Sequence, residues 1–263
     1  MATPYQITIT MDQDTVNSLQ AGGFYLYGFK GVQTTLQGGA PLVWFESQTF
    51  SLNTVVSWQE QYQGYTSSSA IIPNGQIVAS ASYNMDLAQT LEVQNPSGTG
   101  VVVTGGTQNA LSILNQTSTP FTCGISQVQN VGGQPVATPL CAFPLYGNML
   151  DVFAPIELVL LEFATVAVNT GTVIYQAFSQ AALINLTSDS EMAVSFDINT
   201  GWSGNGNPNV QTYPAGTNLV PLLLQGSASL NRRVLAALDA APAAPAPRAH
   251  HHASRANGGL IHA

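Results

Sequence analysis

The chain has 263 residues and 27.6 kDa, room for one large β domain or two ordinary ones, yet charged side chains make up only 7% of it, against about 25% in a typical soluble domain. Residues 1–227 carry one basic side chain, Lys30, against twelve acids, a net of −11, and residues 228–263 bring the whole chain to −8. Such a body repels phosphate backbones and anionic membrane surfaces, so nucleic-acid binding and polybasic membrane attachment are excluded as expectations.

The opening MATPYQITITMDQD has neither a positive start nor an apolar core, so it reads as no secretory signal; the expectation is a cytoplasmic protein, or one released without a signal peptide. Tyr5, Ile7, Ile9 and Met11 alternate with polar residues, the period of a half-buried strand. A short helical turn is expected around Asp14–Gln20. Phe24–Gly28 reads as a strand closing at a glycine, and Phe50–Gln59 alternates again. Asn74-Gly75, set between Ile71-Ile72 and Ile77-Val78, predicts a hairpin. Val101–Thr104 is a strand ended by Gly105-Gly106, and 200–208 is a loop by composition. The longest apolar run, Ile156–Ala164, contains Glu157 and Glu162 and is too short to span a bilayer. From 228 to 263 the composition changes to an Ala/Pro-rich segment, with a short helix expected over Leu230–Leu238.

Four blocks recur in order. Phe24–Gly28 answers Phe143–Gly147, Ala40-Pro41 answers Ala154-Pro155, Glu46…Asn53-Thr54 answers Glu162…Asn169-Thr170, and Ser82–Asp86 answers Ser195–Asn199. These offsets, 113 to 119 residues, predict an all-β chain of two tandem, internally duplicated antiparallel β-sandwich units, residues 1–118 and 119–227, followed by a flexible, disordered tail over 228–263.

The four histidines (250, 251, 252 and 262) all lie in the tail, so the body holds no Ser-His-Asp triad, Cys-His pair or His-based metal site. Carboxylates are the catalytic device left: Glu46, Glu157 and Glu162 are the candidates for glycoside hydrolysis, a distant third reading. Cys123 and Cys141 read as two buried thiols or as one disulfide.

Binding fits the residue types better. Trp44, Trp58, Tyr62 and Trp202, with Asn207, are side chains of the kind that stack on and hydrogen-bond neutral glycans, although tryptophans in a sandwich commonly fill its core. Asp189, Glu191 and Asp197 are weak calcium candidates through oxygen ligands; no other cofactor is expected. The Ser/Thr/Gln-rich stretch 61–82 allows a runner-up reading, a β pore-forming or membrane-active toxin component. A nearly uncharged surface also suits self-assembly or contact with another protein surface, including a homo-oligomer.

The pattern Leu42-Val-Trp-Phe45, Asn53–Trp58, Tyr62, Pro73-Asn-Gly75, Ala81-Ser82 and Asp86 resembles rhizosphere-expressed protein A and related bacterial proteins over about 45 residues. That resemblance implies a small soluble bacterial protein without an established enzymatic activity, and it carries over no catalytic residue. The expectation is therefore a non-enzymatic binding or self-assembling β-sandwich protein.

Overall fold

Among the described residues, apolar side chains on alternate positions help generate eighteen strands, because a half-buried pleated surface favours one dry and one wet face. The computed structural model describes residues 3–131, 135–228 and 230–232. In chain order the elements are β1 (Pro4–Thr10), α1 (Gln13–Ala21), β2 (Tyr25–Thr34), β3 (Ala40–Pro41), β4 (Phe45–Ser47), β5 (Asn53–Ser67), β6 (Ala81–Met85), β7 (Gln89–Val93), β8 (Gly100–Thr104) and β9 (Leu111–Asn115). They continue with β10 (Phe121–Val131), β11 (Val136–Pro139), β12 (Cys141–Leu145), β13 (Leu150–Ala164), β14 (Ala181–Asn185), β15 (Glu191–Asp197), β16 (Gly201–Ser203), β17 (Val210–Tyr213), α2 (Val220–Leu223) and β18 (Leu224–Gly226). Among the described residues the chain is all-β apart from α1, α2 and helical residues at 228 and 230–232. The expected turn after β1 is α1, started by Asp12, whose carboxylate accepts from the Thr15 amide at 2.7 Å.

Two sheets form, and both halves of the chain enter both of them. One sheet runs β16-β15-β1-β5-β10-β12, with β3 beyond β12, and β6 and β11 attached to β5 and β10. The other runs β8-β7-β9-β13-β2-β4, with β14 on β13, β17 on β14 and β18 on β2. Strand for strand the two paths have the same plan. The outermost pair is antiparallel, the next parallel and the remaining three antiparallel in each sheet.

The central registers coincide residue by residue when 97 is added. Tyr65 faces Gly124 and Glu162 faces Tyr27; Gly64 faces Ile125 and Leu161 faces Gly28; Tyr62 faces Gln127 and Val159 faces Lys30. Both ladders are then interrupted at the same place, resuming at Trp58 opposite Gln129 and at Pro155 opposite Val32. Each long strand therefore carries an equivalent bulge, where a sheet bends and re-aims its side chains.

This plan differs from the expected tandem arrangement. Residues 1–118 and 119–227 do not close sheets of their own, since β1 lies between β5 and β15. The sheets are mixed rather than purely antiparallel, with parallel pairs β1–β15, β7–β9 and β2–β18. The echoed blocks also fall on unlike elements: Phe24–Gly28 leads into β2, whereas Phe143–Gly147 spans the end of β12, in the other sheet. Glu46 is exposed on β4 and its partner Glu162 is fully buried on β13. Asn53-Thr54 opens β5, while Asn169-Thr170 lies outside any strand.

The Asn74-Gly75 hairpin is absent too. Asn74 has φ 61° and the Gly75 amide closes on the Ile72 carbonyl, a tight turn with Pro73 and Asn74 at its centre. Its flanks then bond across to Gly171 and Val173 instead of to each other. The expectations for residues 233–263, including the histidines, lie outside the described residues.

One apolar cluster fills the space between the sheets, joining Ile7, Ile9, Val56, Trp58 and Ile125 to Leu26, Val32, Phe153, Val159, Leu161 and Phe163. A second, around Tyr27, Phe29, Leu160, Ile174 and Leu223, seals the outer face of the second sheet beneath α2.

Candidate functional site

The two bulges meet at the centre of the molecule, and polar chemistry is concentrated there. Lys30, on β2, is fully buried. Its Nζ donates to Glu157 Oε2 at 2.5 Å and to the bulge carbonyl of Ile156 at 3.3 Å. The same ammonium lies 4.8 Å from the Trp58 ring centroid and 5.8 Å from that of Trp44, within cation–π range. Trp58 Nε1 donates to the same Glu157 oxygen at 3.0 Å, so one carboxylate ties the bulge of one sheet to the tryptophan of the other. Removal from water pulls the Lys30 ammonium below its ordinary pKa, and the Glu157 charge opposes that pull.

The first sheet's bulge holds the counterpart residues. Glu60 accepts from the Tyr5 hydroxyl at 3.3 Å, and Tyr5 stacks on Trp58 with centroids 5.6 Å apart and planes 9° apart. Burial, then the charges of Glu157 and Glu60, push the Tyr5 phenol up to about 12; Tyr62 is raised by the same causes. Gln127, fully buried, donates through Nε2 to the Gln59 carbonyl at 2.8 Å. Its Oε1, like that of Gln129, is buried without a hydrogen-bond partner.

Two depressions open beside this cluster. One of about 350 Å³ is lined by Tyr5, Trp58, Gln59, Gln129, Asn130 and Glu191, among others. The second, about 590 Å³, is lined by Glu60, Tyr62, Asn84, Asp86 and Gln89, among others. Gln61 and Val128 line both, so the two adjoin across the bulge.

The residues expected to bind glycans are mostly core. Trp44 is fully buried against Phe45 and Trp58, with Nε1 on the Gln127 carbonyl at 3.1 Å. Trp202 is stacked on Phe163 and beside Phe196, far along the sheet at β16. Asn207 caps its own loop, its Oδ1 accepting from the Asn209 amide. Trp58 and Tyr62 are nearly buried as well, but each contributes to the wall of a depression. Of the calcium candidates, Asp197 directs Oδ1 at the amides of Asn199 and Thr200, and Glu191 borders the smaller depression. Among the described residues no group of three His, Cys, Asp or Glu converges on a common point.

The catalytic candidates do not converge either. Glu157 faces the space between the sheets, bonded to Lys30 and Trp58. Glu162 faces outward, and its Oε2 accepts from the amides of Phe178 and Ser179 at 2.8 and 3.2 Å. Burial raises its carboxyl to about 7, against those two bonds. Cys123 and Cys141 are both free and buried; the Cys123 thiol donates to Asp151 Oδ2 at 3.2 Å.

Sequence reasoning passed over Lys30, Tyr5, Glu60, Gln127 and Gln129 as site residues. The signal for Lys30 was present, because it is the one lysine of the chain and stands inside the apolar run of β2. No family model, no curated protein and no solved structure matches this chain. Among the described residues no helix is long and apolar enough to cross a membrane.

Proposed function

We propose that the protein is a non-enzymatic binding module whose ligand is a saccharide seated against the Tyr5–Trp58 stack. The observation that carries this reading is the smaller depression itself. It joins an aromatic wall to the amide residues Gln59, Gln61, Gln129 and Asn130, of which Gln59, Gln61 and Asn130 are exposed. Apolar walls with a few placed polar groups are the usual make-up of small-molecule sites. Hydroxyl-rich ligands both donate to and accept from such side-chain amides.

Calorimetric titration of the full chain with neutral oligosaccharides tests the reading. Tyr5→Leu removes half of the stack and Asn130→Ala removes a rim amide, and each is expected to weaken binding about tenfold, roughly 1.4 kcal/mol. Unchanged affinity in both variants would refute this placement of the ligand.

Self-association is the second reading, favoured by one feature. β8 ends its sheet with Gly100–Thr104, a segment without charge or proline that exposes Val101, and natural edges are normally blunted by such residues. Light scattering on the wild type and on Val101→Lys distinguishes the two. Assembly through this edge would be lost in the variant.

A further inference from the structure

The shared register of the two sheets compares Glu60 with Glu157 and Gln127 with Lys30, each pair 97 positions apart. The backbone bond at the two positions is the same. Lys30 Nζ donates to the Ile156 carbonyl and Gln127 Nε2 to the Gln59 carbonyl, and residues 59 and 156 are again 97 apart. The charges are not the same. Glu157 meets the Lys30 ammonium at 2.5 Å, whereas a neutral amide stands where the partner of Glu60 would be.

Three consequences follow. Two carboxylates at the centre share one ammonium, which leaves the cluster one positive charge short. Gln127 presents a buried oxygen, Oε1, without a donor, on the same face of the first sheet as Trp58 and Tyr62. Glu60, unlike Glu157, borders an open depression that also carries Asp86. The protein thus builds an ammonium site from its own lysine at one bulge, out of a carboxylate, a bulge carbonyl and an aromatic face. At the other bulge the carboxylate and its aromatic neighbours remain, the carbonyl is taken by Gln127 Nε2, and the carboxylate borders a depression open to solvent. The strongly acidic body reinforces the preference for a cation at this place.

We propose that the ligand carries a primary ammonium: a deacetylated amino sugar whose ring rests against Tyr5 and Trp58 and whose ammonium is bound by Glu60. This rests on the saccharide reading above and narrows it to one class. An oligomer fits better than a single ring, since the two depressions adjoin at Gln61 and Val128.

The test is calorimetry on the full chain with three tetrasaccharides of the same linkage: one of glucosamine, one of N-acetylglucosamine and one of glucose, at a pH where the sugar amine is charged. The glucosamine tetramer is expected to bind at least about tenfold more tightly than the glucose tetramer, the low end for a hydrogen bond to a charged group. Acetylation, which removes the charge, is expected to abolish that advantage. Glu60→Gln should bring the glucosamine tetramer to within about twofold of the glucose tetramer measured on the same variant.

Equal binding of glucosamine and glucose tetramers to the wild type overturns the amino-sugar assignment and leaves the saccharide reading standing. Retention of the preference in Glu60→Gln overturns the role of Glu60. If none of the three binds a folded wild-type chain, the saccharide reading falls and this proposal with it. Should Glu60→Gln fail to fold, the wild type still decides. Added salt must weaken the glucosamine tetramer selectively, because a partly exposed ion pair is screened and stacking is not; equal salt response of both tetramers overturns the proposal.

Discussion

Replacing Lys30 with methionine keeps most of the apolar stem and removes the ammonium. Glu157 then remains between the sheets with its side chain only 11% exposed and with Trp58 Nε1 as its one remaining side-chain donor among the described residues. Breaking a buried pair from one side costs about 3–5 kcal/mol, because the surviving charge has been desolvated without compensation. The loss of the cation over Trp58 adds to this. For a body of this size each kcal/mol lowers the melting temperature by about 2–4 °C, so Lys30→Met should melt roughly 10 °C below the wild type. The second variant makes the argument specific. Glu157→Gln removes the stranded charge and keeps a carbonyl oxygen to accept from Trp58 Nε1, so Lys30→Met/Glu157→Gln should recover to within about 1–2 kcal/mol of the wild type. Urea midpoints and slopes for the wild type, Lys30→Met and the double variant measure these differences directly. A Lys30→Met loss under about 1 kcal/mol, or a double variant no more stable than Lys30→Met, would show that Glu157 is not held as a buried charge.

Two buried carboxyls make stability fall with rising pH. Burial raises Glu162 from 4.5 to about 7 and Asp151 from 3.8 to about 6, so over that range the folded chain holds protons that the unfolded chain has released. Their contribution is complete below pH about 4 and lost as pH climbs through about 7, by up to a few kcal/mol together. Urea midpoints should thus be lower at pH about 8 than at about 5, and Glu162→Gln should flatten the trend; a midpoint that rises with pH would contradict it. The thiols give an independent check. Burial first, and for Cys123 also the Asp151 carboxylate, keeps both cysteines protonated, Cys141 up at about 12. Both should resist a thiol reagent in the native chain and both react after unreduced denaturation, where an absence of reactive thiol would reveal a disulfide. At Gly28, a Cβ would collide with the Phe45 ring, so Gly28→Ala should cost about 1–3 kcal/mol by overpacking, read from the same urea curves; a neutral result would mean that β4 can move away from β2.

The all-β class was legible because it follows from local alternation, as in Tyr5, Ile7 and Ile9 of β1 and Thr54, Val56 and Trp58 of β5. The sharing of sheets was not, because it depends on pairings such as Ile7 with Met192, which no local pattern encodes. The correspondence between the sheets was hidden for a more particular reason. Over the twenty-five positions that β2 and β5 share with β10 and β13 at the true register, Val55 with Val152 and Glu60 with Glu157 are the identical pairs. At one rung what is kept instead is size summed across the ladder. Gly64 faces Ile125 in one sheet and Leu161 faces Gly28 in the other, with the glycine on opposite partners. Tyr65 faces Gly124, and Tyr27 faces Glu162, so the tyrosine also changes strand, though its partner differs in size. A packed layer can constrain the volume of a cross-strand pair more tightly than either member, so a search for repeated letters misses such pairs. The aromatic residues of the candidate site suffered the same limitation. Trp44, Trp58 and Tyr62 stood out by type, but their work in the structure is to wall a cage around a charge. That charge belongs to residues with little sequence signal of their own, and one of the two identities that the register retains is the glutamate at each bulge.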